Sequence, residues 1–182
     1  MKKKNWKLLG TESIFKNKYV TLDSWRMRQP RGGEAEYFIH RTYDFVVVCA
    51  FTKNKNVLLL NQYYVSQGKH IATLVAGIID GDEQPKTSAR RELLEETGYQ
   101  AGRIVPLGSV IKGKYATGKA YYFLALDAEK VAEQHLEAGE DIEVKPTPFS
   151  RFKQMVEGGK IPEVHMELCA RRALSYLKKH GV

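Results

Sequence analysis

Residues 77–99 read GIIDGDEQPKTSARRELLEETGY, and the fold turns on how this stretch folds. Pro85 suits a first helical position, where its missing N–H forfeits no bond. Gly98 suits a helix stop, because the left-handed backbone that ends many helices is open to glycine. Ala89, Arg90, Arg91, Leu93 and Leu94 between them are good helix formers, so the stretch predicts a helix from Pro85 that stops at Gly98. Glu92 and Glu96, four apart, share one face of that helix, and Glu95, three from Glu92, flanks them. Like charges at this spacing destabilise a helix by a few tenths of a kcal/mol per pair. A strand carrying Gly77 ends just upstream, and glycine there lets backbone approach the acidic face closely. Converging carboxylates, a backbone carbonyl and water are the hard oxygen donors that Mg²⁺ or Mn²⁺ takes. A cation would turn the mutual repulsion of the glutamates into shared attraction, and Arg91 could orient one carboxylate through a bidentate pair. Spacing alone leaves the plainer reading open, a solvated acidic face.

The flanking sequence gives the frame. DFVVVCAF (44–51) is a continuous apolar run, the pattern of a strand buried on both faces. Asn54-Lys55-Asn56 turns the chain into VLLLNQYY (57–64), a second strand, and IATLVAGII (71–79) is a third β-like run, broken by Gly77. Upstream, residues 19–29 and 34–41 flank Pro30-Arg31-Gly32-Gly33, which predicts a β-hairpin. Downstream, AYYFLALD (120–127) is a strand and residues 150–157 and 163–180 are helical. Val164, Leu168, Ala170, Leu174 and Leu177 form an apolar stripe on the last helix. The order predicts an α/β domain with a mixed sheet. Residues 1–41 form a separate small antiparallel β-element and 42–182 the main domain.

Composition narrows the class. The chain has 182 residues, 43% apolar and 27% charged, with a net charge of +8. Ten basic and four acidic residues fall in 1–41, so the remainder carries only +2. A basic N-terminal element suits attraction of a phosphate-bearing ligand, or is a solvated charged surface. No stretch approaches the roughly 18 apolar residues needed to span a bilayer. Lys2, Lys3 and Lys4 are followed by no apolar segment, so no signal peptide is expected. Two cysteines, Cys49 and Cys169, make no disulfide framework, and a cytoplasmic setting is expected.

The spacing across the whole stretch is more specific than the carboxylates alone. It reads Gly77, five residues, Glu83, seven residues, Arg91-Glu92-Leu93, one residue, Glu95-Glu96, one residue, Gly98-Tyr99. This resembles the Nudix hydrolase signature at every fixed position. The likeness extends over most of the chain and is closest to the ADP-ribose and nucleoside diphosphate sugar pyrophosphatases. These share a small β-element at the start, LVAG leading into the signature, an acidic loop like EAGEDIEV (137–144) and a helix–GGKI–helix ending.

The resemblance implies a Nudix-type α/β/α sandwich and metal-dependent hydrolysis of the pyrophosphate bond of a nucleoside diphosphate sugar, ADP-ribose first. It implies Mg²⁺ or Mn²⁺ held by Glu92, Glu95, Glu96 and the carbonyl of Ala76, with Arg91 orienting a carboxylate. Glu83 either joins the metal or stays structural. Glu140 is implied as the general base, ahead of Glu137 and Glu143, and Glu95 and Arg91 stand with it in the catalytic set. Tyr19 and Tyr37 are implied as the aromatics that sandwich the base, often across a dimer, with Arg41 and Arg26 as phosphate or base contacts. A homodimer is expected; membrane and nucleic acid are not the expected partners. Three positions depart from the pattern. Gln62-Tyr63-Tyr64 stands where Gln-Tyr-Arg is common, Thr73 where a glutamate is common, and Lys114-Tyr115 where a proline is common. Tyr115 is more typical of diadenosine polyphosphate hydrolases. A diadenosine polyphosphate or RNA 5′-end pyrophosphohydrolase is therefore the second reading, and a non-catalytic nucleotide sensor the third.

Overall fold

The computed structural model describes residues 5–17 and 20–181. These fall into two compact units. The described residues up to Asp44, with Ile111–Lys119, make one, and Phe45–Val110 with the described residues from Ala120 onward make the other.

The first unit is an antiparallel sheet of β1 (Lys7–Lys16), β2 (Thr21–Arg28) and β3 (Glu34–Arg41), in that order. The expected hairpin is β2–β3, in unbroken register from Thr21↔Arg41 to Arg28↔Glu34. Gly32 and Gly33 take positive φ at its turn. Strand β1 was not expected. Its side chains are exposed or half-exposed throughout, so no buried face imposes the period-2 pattern by which a strand is read. The segment 111–119 joins β3 by main-chain bonds, His40 N to Tyr115 O at 2.9 Å and Thr117 N to His40 O at 3.0 Å.

The second unit is the expected sandwich. Its sheet is built on β4 (Phe45–Thr52) and β5 (Asn56–Tyr64), with β6 (Lys69–Thr73), β7 (Val75–Ile78), β8 (Tyr99–Gln100), β9 (Arg103–Ile111), β10 (Lys119–Lys130) and β11 (Ile142–Pro148). Strands β4 and β10 are parallel, while β7 and β5 run antiparallel to β4, so the sheet is mixed. The helices are α1 (Pro85–Thr97), α2 (Phe149–Glu157) and α3 (Val164–His180). The apolar run of β4 has no polar face because both faces are covered. Val47, Cys49 and Phe51 join a core with α2 and α3; Val46, Val48 and Ala50 join another with Ala89 and Leu93 of α1.

Two local expectations change. Residues 71–79 divide at Leu74, which is buried, rather than at Gly77, which lies inside β7 opposite Val46. The buried stripe of α3 is Met166, Cys169, Ala170, Ala173 and Leu177; Val164 in its first turn is 66% exposed. Among the described residues, no helix is long and apolar enough to cross a membrane.

Candidate metal-binding site

Helix α1 buries two adjacent rows. Ala89, Leu93 and Thr97 form one, and Ser88, Glu92 and Glu96 the other. Each row has a spacing of four, which keeps its members stacked on one face. Burial of the apolar row against the sheet takes the carboxylates of the next row down with it. Glu96 ends 2% exposed and Glu92 8%.

Gly77 on β7 shapes the floor. A Cβ added there would fall 1.9 Å from Glu92 Cδ and 2.0 and 2.2 Å from its two oxygens. The Glu92 carboxyl therefore rests in space that only glycine leaves. One residue earlier, Ala76 N donates to Glu96 Oε2 at 3.1 Å. The fold thus brings Ala76, Glu92 and Glu96 together.

Arg91 ties this face to the loop before the helix. Its Nη1 donates to Glu92 Oε1 at 2.7 Å and Glu95 Oε2 at 2.9 Å. Its Nη2 donates to Ile78 O at 3.0 Å and Glu83 Oε2 at 3.1 Å. Burial pulls the guanidinium pKa down, but its bonds to Glu83, Glu92 and Glu95 outweigh this and hold it above its usual value. Glu83 Oε2 also accepts from Ser88 Oγ at 2.6 Å, and this bond, with Arg91, holds Glu83 below the ordinary carboxylate range. Of the two roles open to Glu83, these contacts are those of a loop anchor.

Burial pushes the Glu92 carboxyl up to about 7, against the pull of Arg91 and with the help of Glu95 and Glu140. Burial likewise raises Glu96 well above the ordinary range; the Ala76 N–H pulls it down, and Glu92, Glu140 and Glu95 add to the rise. Two buried carboxylates held this high are short of positive charge, and their donors are the hard oxygens that a small divalent cation prefers. By donor chemistry, burial and the glycine cradle the residues fit such an ion. Among the described residues no three Asp, Glu, His or Cys side chains already converge on one point. Arg91 Nη1 sits between Glu92 and Glu95 and meets part of their charge.

Glu140 belongs to the same neighbourhood, since its charge raises both Glu92 and Glu96. It sits in a turn in which Glu140 N donates to Glu137 O at 3.0 Å and Glu137 N donates to Glu140 Oε2 at 2.8 Å. Glu143 lies in β11, paired with Lys145 at 3.0 Å, so the acidic loop ends sooner than its sequence implies. Tyr64, standing where arginine is common, is also close to the carboxylates: burial raises its hydroxyl first, then the charges of Glu163 and Glu96. Only its departure from the family pattern singles it out in sequence.

The expected substrate contacts belong to the first unit. Tyr37 is stacked on Tyr115 with centroids 6.2 Å apart and meets Trp6 edge-on at 5.8 Å. Arg41 Nε donates to the buried Asp23 Oδ2 at 2.8 Å, and Arg26 lies across the strand pair from Glu36. Tyr19 lies outside the described residues.

Comparison with known proteins gives four findings. The NUDIX domain family model matches residues 41–173. The GDP-mannose pyrophosphatase of Escherichia coli O9:H4 (strain HS) is 34% identical over 60% of this chain and 62% of that one. This chain thus spans about three-fifths of that relative's length. The GDP-mannose pyrophosphatase of Escherichia coli O1:K1 / APEC is 33% identical over 84% of this chain and 87% of that one. A solved structure titled "Crystal structure of ADP compounds hydrolase" superposes with a TM-score of 0.86 at 20% identity, covering 97% of this chain and 96% of its own. At that identity the likeness is one of fold.

Proposed function

The chain belongs to the NUDIX domain family, and on that premise we propose that it hydrolyses the pyrophosphate bond of a nucleoside diphosphate sugar. The products are a nucleoside monophosphate and a sugar phosphate, and the reaction depends on a divalent cation, Mg²⁺ or Mn²⁺. The observation that carries this reading is the buried carboxylate pair, with Glu92 seated over Gly77 and Glu96 held by the Ala76 N–H. Two relatives that bear the name GDP-mannose pyrophosphatase support the substrate class.

Glu92, Glu95, Glu96 and the carbonyl of Ala76 hold the cation in this reading. A bound cation supplies charge neutralisation of the diphosphate and acidifies water. Arg91 fixes the rotamers of Glu92 and Glu95 through Nη1, which limits how far the carboxylates can wander. Glu83, held by Ser88 and Arg91, keeps the loop over the helix N-terminus. Glu140 accepts the proton of the attacking water, as a carboxylate within about 3 Å of it can. The N-terminal element, residues 1–41, supplies the base and phosphate contacts through Tyr19, Tyr37, Arg26 and Arg41, and 42–182 is the catalytic domain. Base–aromatic stacking there contributes roughly 1–3 kcal/mol. The same element joins two copies in a homodimer. Exposed Leu8, Ile14, Phe15 and Phe38 on its sheet support this, since a small sheet with uncovered apolar side chains gains by burying them. A cytoplasmic setting is supported by two buried free thiols.

The test is turnover by purified protein with Mg²⁺ or Mn²⁺, offered GDP-mannose, ADP-ribose, diadenosine polyphosphate and triphosphorylated RNA, with products separated by chromatography. Cleavage of nucleotide sugars to monophosphates is expected. If they survive while the polyphosphates are cut, the second reading replaces this one. Tight nucleotide binding with no turnover of any substrate favours the sensor. Elution in sizing chromatography as a monomer of 20.7 kDa overturns the dimer.

A further inference from the structure

A helix leaves its last carbonyls without partners inside the helix. At the C-terminus of α1 these carbonyls belong to the glutamates themselves, and the chain that follows β10 is built onto them. Val131 N and Ala132 N donate to Gly98 O at 2.9 and 3.1 Å, and His135 N donates to Glu95 O at 2.8 Å. Between them, the Gln134 side-chain amide donates from Nε2 to Glu96 O at 2.7 Å and to Ile142 O at 3.3 Å. One side chain thus ties three pieces of chain together: the end of the acidic helix, the segment leaving it, and the start of β11. The loop that these anchors enclose carries Glu140.

We infer that Gln134 is a positioning residue, which pins both roots of the Glu140 loop to the main chain of α1 and β11 and so fixes the reach of Glu140 over the Glu92–Glu96 face. The inference rests on the role given to Glu140 above. An amide NH₂ suits the task because it presents two donors and the two groups to be joined are both carbonyls. A carboxylate there would accept only. The tip of the loop, by contrast, is tied by its own turn alone, through Glu137 and Glu140. Without the amide, each root is left with main-chain bonds alone, those of Val131, Ala132 and His135 at one and Tyr63 N to Asp141 O at 3.0 Å at the other, and these open more readily because nothing ties the two roots together.

The experiment is a double-mutant cycle with a structural readout. Gln134→Met keeps the length of the side chain and removes both donors. In the wild-type background it is expected to lower kcat at least about 10-fold, with KM within about twofold, because a base contributes roughly 10²–10⁴ and a displaced one retains part of this. In a Glu140→Gln background the same change is expected to lower kcat by less than twofold, since there is no base left to misplace. Equal losses in both backgrounds, or no loss in the wild type, overturn the inference. Hydrogen exchange tests the clamp independently of turnover. The amides of Val131, Ala132 and His135 are expected to exchange at least about 10-fold faster in Gln134→Met, as bonded amides do when their anchor opens. Unchanged exchange overturns the clamp even if no substrate is cleaved. Failure of the wild type on every nucleotide sugar sinks the substrate reading alone.

Discussion

The closest contact in the site gives a quantitative prediction. In Gly77→Ala a methyl group falls 1.9 Å from Glu92 Cδ. Ordinary carbon contact is about 3.5 Å, so the carboxyl must retreat by about 1.6 Å. The backbone itself raises no objection to alanine, because the φ of Gly77 is not in the left-handed region. The effect is therefore steric and falls on one carboxylate. Displacements of about 1 Å at a reacting centre reduce rates by about 10²-fold, so a loss of at least about 100-fold in kcat is expected, with weaker Mn²⁺ binding by titration calorimetry. Overpacking is expected to lower stability by about 1–3 kcal/mol, leaving the protein folded by far-UV circular dichroism. Gly113→Ala is the control, since a Cβ there meets nothing within 4 Å. A Gly77→Ala variant with undiminished turnover and Mn²⁺ affinity would refute the cradle.

Three further outcomes follow from groups already described. With EDTA present, the raised Glu92 carboxyl favours the folded state most fully below its unfolded value of 4.5, and this contribution is lost as pH rises to about 7. Melting temperature should fall over that window by the equivalent of up to about 3 kcal/mol, and added Mg²⁺ should restore more at pH 8 than at pH 5; a flat profile in EDTA contradicts the burial argument. Glu163 caps α3 by accepting from His165 N and Met166 N, so Glu163→Ala should lower stability by about 0.5–2 kcal/mol in urea denaturation. Burial pushes the Cys169 thiol up to about 12 and the Cys49 thiol well above its ordinary value; neither should react with a thiol reagent until the protein is unfolded, when both should.

The signature was legible because its spacing is chemical as well as helical. Rows of four on α1 place Glu92 and Glu96 together whatever the rest of the chain does, and Gly77 at its fixed offset meets them. The run at 44–51 was legible because burial on both faces removes alternation. Strand β1 was not, because exposure on both faces removes it too. The divide at Leu74 was missed for a related reason: a glycine invites the reading of a break, whereas here Gly77 stays paired in the strand and makes room for a side chain. Gln134 was invisible because its role depends on two carbonyls, of residues 96 and 142, that sequence does not bring together. The burial of Tyr64 near Glu96 likewise depends on how β5 packs, which no local pattern states.

Gly98 carries a consequence for anyone who would re-engineer the protein. A Cβ there would fall 2.1 Å from Ala132 O, and its φ of +74° is itself awkward for a side chain. The residue that stops the acidic helix is therefore also the seat of the chain crossing it. Val131 and Ala132 bond to that seat and Gln134 and His135 to the helix carbonyls just before it, while residues 137–140 bond to little beyond themselves. The arrangement is that of a socket with an interchangeable bit. New loop tips that offer other groups to a different substrate could be grafted between Leu136 and Asp141, provided these two, the glycine and the crossing segment are left as they stand.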